Sequence, residues 1–224
     1  MPTSDKIIQL RQLLAERAGK HVRAEQDNFA TGLVALDDLG IPSASLTEIV
    51  SAPASGPGGS LLLHALLHAV LQKGERVILI DGKSGFAPKS LPSADLRRLL
   101  WIRCRLAWEA IKAADLAVRD GNVPLVVLLL TLNAAGDLGR LPANAWHRLQ
   151  MLAEKSAVTL LAFTPRAQIG CARLRLSVGG AFPLDRLHVC RDELIPGLKI
   201  QLERRRIGGM ERRPDEELRR ASCA

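Results

Sequence analysis

Apolar positions along the chain follow two rhythms, and their alternation sets the expected fold. From Asp5 to Ala18, Ile7, Ile8, Leu10, Leu13 and Leu14 form a helical stripe, with Ser4 placed to cap it and Gly19 to end it. The polar stretch from His21 to Ala30 reads as a linker. Leu33, Leu36 and Leu39 suggest a short helix ending at Gly40. Compact apolar runs then predict strands over Ser45–Val50, Arg76–Asp81, Leu99–Cys104, Pro124–Thr131 and Ala157–Phe163. Helical spacing predicts helices over Leu61–Gln72, Asp95–Leu100, Leu106–Asp120 and Ala143–Lys155. Three short strands close the series, over Ala172–Val178, Arg186–Arg191 and Leu198–Glu203.

Strand–helix alternation of this kind argues an α/β fold with a mainly parallel sheet, since a parallel crossover needs a connection long enough for a helix. The strands are almost continuously apolar, as expected where helices cover both sheet faces. The closing strands predict a short antiparallel C-terminal extension. Three segments follow: an N-terminal helix and linker (1–30), a core domain (31–203) and an Arg-rich tail (204–224). The tail from Glu203 has seven Arg and five acidic residues and little to bury, so flexibility is expected there.

Composition narrows the functional classes. The longest apolar run, Leu125–Leu130, is far short of the roughly 20 residues that span a bilayer. Residues 1–20 hold no uninterrupted apolar stretch of the secretory type, so a cytoplasmic location is expected. The net charge of +8 favours polyanionic partners, nucleic acid first. Aromatic residues make up only 3% of the chain, which disfavours a row of stacking platforms for single strands. Cys104, Cys171, Cys190 and Cys223 form no CxxC pair, and no His stands at zinc-finger spacing from two of them; scattered reduced thiols are expected, and no metal. His64 and His68, four apart on a predicted helix, lack the intervening Glu of a zincin and read as partly buried or edge histidines.

The loop after the first core strand is the natural phosphate site of such a sheet, because turn amides and a helix N-terminus converge there. Its candidate residues are Ser55, Gly56, Pro57, Gly58, Gly59 and Ser60. A P-loop needs Lys after its last glycine. Here Pro57 or Gly59 holds that place, depending on register, and Pro57 also removes a backbone donor.

Several short motifs, in order, resemble a known family. Thr31-Gly32-Leu33, Leu36-Asp37, Gly40-Ile41-Pro42 and Leu46-Thr47-Glu48-Ile49 look like the run leading into the P-loop of RecA-type recombinases. The strand Val77–Asp81 with Gly85-Phe86-Ala87-Pro88 is similar to the second RecA strand and the loop carrying the catalytic glutamate. Asp95–Arg103, Ala107-Trp108-Glu109-Ala110, Arg148-Leu149-Gln150 and Arg204–Gly209 resemble segments of the RecA-like accessory proteins of bacterial mutagenic repair cassettes (the ImuA family, in places called SulA-like). The resemblance covers residues 31 to about 209 and rests on the order of these motifs.

That resemblance implies a RecA-like core. It implies a role in SOS mutagenesis and translesion DNA synthesis, with RecA and a polymerase-like subunit as partners. It also exposes departures from an ATPase. Lys83 stands where the water-activating glutamate is expected. The strand through Val126–Leu132 ends in Thr131 and Leu132, with no acid for magnesium, and Thr164-Pro165 stand near the phosphate sensor. Phosphoryl transfer depends on these parts for positioning and charge compensation. The expectation is therefore a non-enzymatic accessory factor without ATP as cofactor.

Alternatives of other classes remain: a nucleotide-gated switch or weak ATPase with Lys83 reaching toward the loop, a direct DNA-binding protein, or a cell-division inhibitor. For DNA or a partner, the candidates are Arg166, Arg173 and Arg175 and the cluster Arg204, Arg205 and Arg206; an ordinary solvated surface is the plainer reading. Ile7, Leu10 and Leu14 present one face of a helix that is marginal alone, and that face is expected to dock on RecA, on a second copy, or on its own domain.

Overall fold

The computed structural model describes residues 28–52, 56–180, 182, 188–207 and 210–212. The expected helix carrying Ile7, Leu10 and Leu14, most of the linker, Ser55, Cys223 and the tail from residue 213 lie outside the described residues.

The elements run α1 (Val34–Asp37), β1 (Leu46–Val50), α2 (Gly58–Gln72), β2 (Val77–Asp81), α3 (Ser93–Leu96), β3 (Leu99–Arg103), α4 (Ala107–Asp120), β4 (Leu125–Leu129), α5 (Ala135–Gly139), α6 (Ala143–Ser156), β5 (Thr159–Thr164), β6 (Leu174–Gly179), α7 (Arg191–Leu194), β7 (Lys199–Ile207) and β8 (Met210–Arg212). All eight strands form one sheet in the order β3-β2-β4-β5-β1-β6-β7-β8. The first six are parallel. β7 runs antiparallel to β6, and β8 to β7. The expected α/β class, mainly parallel with an antiparallel C-terminal extension, is what the chain adopts.

Strand alternation divides the interior into two cores. Ile78 and Ile80, Val126 and Leu128, and Leu160 and Ala162 face a layer built on α4 and α6. Val77 and Leu79, Val127 and Leu129, and Leu161 and Phe163 face α2 on the other side. With both faces covered, β2, β4 and β5 are buried along their whole length. Each such Leu, Ile or Phe contributes about 1.5–3 kcal/mol through its removal from water. On the α2 side, α1 is held by Asp37, whose carboxylate accepts the N–H groups of Thr31 (2.7 Å) and Gly32 (2.9 Å).

Three expectations are corrected. Of the strand expected over 186–191, the described residues form none: Arg191 begins α7, and His188–Cys190 before it are not extended into a strand. The first closing strand, β6, is not part of the antiparallel extension but pairs parallel with β1. The boundary at 203 falls inside β7, which continues to Ile207 and turns back into β8. The basic run Arg204–Arg206 therefore belongs to the sheet, not to a tail. Among the described residues no helix is long and apolar enough to cross a membrane.

Candidate functional site

The loop between β1 and α2 opens on a cavity of about 390 Å³ at the C-terminal ends of β1, β2 and β4. This is where a parallel sheet places its ligands. Pro57 precedes the first turn of α2, and its carbonyl accepts the N–H of Leu61 (3.0 Å). Two glycines are fixed by close approach. Gly56 has φ +88°, and a Cβ there would stand 2.5 Å from the Gly180 carbonyl. A Cβ on Gly59 would collide with Ser51 Oγ and stand 2.5 Å from its Cβ. Gly58 likewise lies against the Gly179–Gly180 backbone beyond β6. The small residues of this loop thus let it pack on Ser51 and on the strand end beside it.

The next wall comes from the segment after β2. Asp81, buried at the end of that strand, accepts the N–H groups of Lys83 (3.3 Å), Gly85 (2.9 Å) and Phe86 (3.0 Å), and the Trp101 indole N–H (3.3 Å). One carboxylate therefore folds the loop and brings Gly85 and Phe86 to the cavity. Phe86 stacks on His64, with ring centres 5.4 Å apart, and meets Trp101 edge-on. His64 also lies 2.8 Å from Ser90 Oγ. Burial, helped by the charge of Arg191, lowers its pKa to about 4, so the ring is neutral near pH 7. The third wall is Leu129, Thr131 and Leu132 at the end of β4. Among the described residues, the lining consists of glycine, proline, hydroxyl and apolar side chains with this one neutral imidazole.

Of the candidate loop residues, Gly56, Pro57, Gly59 and Ser60 line the cavity, while Gly58 packs behind it. Lys83 is exposed and does not line it. His68, half-buried as expected of a partly buried or edge histidine, pairs with buried Asp95 at 2.7 Å. Among the described residues no group of three His, Cys, Asp or Glu is placed to hold a metal. Cys104 and Cys171 are buried free thiols whose pKa values burial raises, which leaves them unreactive.

The arginine candidates fall into two groups. Arg173, Arg175, Arg204 and Arg205 are engaged inside the fold. Arg175 Nε donates to Glu48 Oε2 (2.6 Å), and its Nη2 to the Ile169 carbonyl (3.0 Å). Arg204, buried, donates to the carbonyls of Ile169 (3.0 Å) and Ala172 (3.3 Å). Arg173 pairs with Glu154 at 3.1 Å. Arg205 donates to the carbonyls of Leu39 and Gly40. Arg206 is half-buried on β7, and Arg166 is exposed beside a smaller cavity of about 250 Å³. The structure therefore brings Arg173, Arg175 and Arg204 together around the β5–β6 connection and its flanks, and places Arg205 apart from them on the Leu39–Gly40 turn.

Sequence reasoning missed the centre of that cluster. Glu48, fully buried in β1, accepts Thr164 Oγ1–H (3.1 Å) and the N–H groups of Gln168 (2.8 Å) and Ile169 (3.1 Å) besides Arg175. A carboxylate inside an apolar strand was the available signal, because a buried charge requires a partner. No protein-family model matches the chain, and a comparison with curated proteins finds no match.

Proposed function

We propose that the chain is a non-catalytic, RecA-like accessory factor of SOS mutagenesis and translesion synthesis. It acts in the cytoplasm by binding RecA, a polymerase-like subunit of a mutagenesis cassette, or both. The observation that carries this reading is the lining of the strand-end cavity. A nucleoside triphosphate and its magnesium demand fixed charges of both signs. The described residues of the cavity instead offer Ser51, Ser60, Thr131 and neutral His64 among glycine, proline and apolar groups. The partner assignment comes from the motif resemblance. The loop geometry supports a fold kept for its surfaces.

A pull-down of the full chain with RecA and the polymerase-like subunit, with and without ATP, tests it. The expected result is capture of at least one partner whether or not ATP is present. In parallel, ATP with magnesium should leave the melting temperature unchanged, whereas a ligand at 100 times its Kd stabilises by about 2.7 kcal/mol. A saturable thermal shift, or turnover above a buffer blank, would overturn the non-catalytic reading in favour of a nucleotide-gated switch.

A further inference from the structure

The outer surface of the α4–α6 layer carries a groove that nothing above uses. It runs along α6 from Asn144 to Ser156, about 18 Å at 1.5 Å per residue, with a volume of about 950 Å³. Its floor is apolar. Met151 is 69% exposed in the middle of it, and Leu152 lies beside Met151. Its rim is basic, with Arg119 from the last turn of α4 and His147, Arg148 and Lys155 from α6. Asp115 of α4 pairs with both Arg119 and Arg148, the latter at 2.5 Å. Those two guanidiniums are thereby held at the groove wall, and Lys155 adds a further positive charge to the rim.

We propose that this groove is a docking site for an acidic amphipathic helix of a partner protein. The apolar face of that helix would cover Met151 and Leu152, and its carboxylates would meet the basic rim. The groove's length along α6 suits a third helix laid against the α4–α6 pair. Charge complementarity selects an acidic partner. A nucleic acid fits less well, because a phosphate backbone offers nothing to the methionine floor and would approach the Asp115 carboxylate. A second copy bringing the same face would set one basic rim against another. The inference rests on the reading of the chain as a binding protein, and names the surface and the chemistry that reading leaves open.

The test is fluorescence anisotropy with the full chain and a labelled helical peptide of about four turns, with Leu along one face and Glu on the others. Its Glu→Lys counterpart and a labelled DNA duplex are measured alongside. The acidic peptide should bind saturably with Kd below about 100 μM. Met151→Glu and Lys155→Glu should each weaken binding about tenfold or more, while Arg76→Glu, on an exposed residue before β2, leaves it unchanged. Both groove positions are on the surface, and a circular-dichroism melt verifies that the variants fold. Three outcomes overturn the proposal: no saturable binding of the acidic peptide, equal binding of the Lys peptide, or tighter binding of the duplex with the same dependence on Met151 and Lys155. Loss of peptide binding to Met151→Glu with intact RecA capture would support the groove and place RecA elsewhere. Failed capture of every partner with intact peptide binding would overturn the accessory-factor reading alone.

Discussion

The cavity beside α2 and the cluster under the β5–β6 connection use charge in opposite ways. The cavity occupies the place where a parallel sheet ordinarily handles phosphate, yet among the described residues its polar lining is three hydroxyl side chains and a neutral imidazole. The cluster buries a glutamate with Arg175 and Arg204 close to it, and all three direct their polar atoms at the 164–172 segment. A basic composition thus does not translate into a basic ligand site. Part of the positive charge holds backbone carbonyls in place. At the C-terminal ends of the strands, Gly56 and Gly59 pack closely on Gly180 and Ser51.

Breaking the cluster should have the largest effect on stability. Glu48→Ala removes the acceptor of four hydrogen bonds and leaves the Arg175 guanidinium, itself only 15% exposed, without its carboxylate. Removing one partner of a buried ion pair costs about 3–5 kcal/mol. Urea unfolding should show that loss in the midpoint. Arg175→Met should cost less, because Glu48 keeps three of its four donors. Equal losses, or a Glu48→Ala loss below about 1 kcal/mol, would show that water replaces the missing partner.

Packing on the cavity side should come next. Gly59→Ala places a methyl against the Ser51 side chain, whose Cβ would be 2.5 Å away. Overpacking of this kind costs about 1–3 kcal/mol. Ser51→Gly on the same background should recover much of it, since the obstructing atoms are then gone. The double variant measured by urea unfolding decides the matter. Without recovery, the cost lies in the α2 backbone and not in the Ser51 contact.

Some of this was legible in the sequence. The apolar runs Val77–Asp81 and Pro124–Thr131 name buried strands by composition alone, because helices cover both faces. The glycine-rich stretch 56–60 names the strand-end loop, whose Gly56 and Gly59 are fixed by close approach. The arginines were misleading for a physical reason. Arg173 and Arg175 occur in a segment that reads as half-polar, and only tertiary pairing with Glu154 and Glu48 reveals their work. Asp81 was visible as an acid closing a strand, but its hold on Lys83, Gly85 and Phe86 depends on the turn the backbone takes. The strand expected at 186–191 failed because apolar alternation in a short segment does not distinguish an extended run from a turn leading into a helix.

The smallest effect concerns His64, the one titratable group among the described residues of the cavity lining. His64 takes part in two contacts, the Phe86 stack and the approach to Ser90 Oγ, and burial lowers its pKa from 6.5 to about 4. Above pH 6.5 the ring is neutral whether the chain is folded or unfolded, and stability does not depend on it. Between pH 6.5 and about 4 the unfolded chain takes up a proton that the folded chain refuses, so stability falls as pH falls. Below about 4 both states are protonated and the dependence ends. Because the ring is only partly buried, the slope should stay below the one-proton limit of about 1.4 kcal/mol per pH unit. Urea midpoints of the native chain and of His64→Phe, followed from pH 7.5 to about 4.5, isolate this contribution. The variant should show the shallower decline, with the two curves diverging only below about pH 6.5. Parallel curves over the whole range would mean that the imidazole titrates in the folded chain much as it does in water, and that the cavity wall is open to solvent at His64.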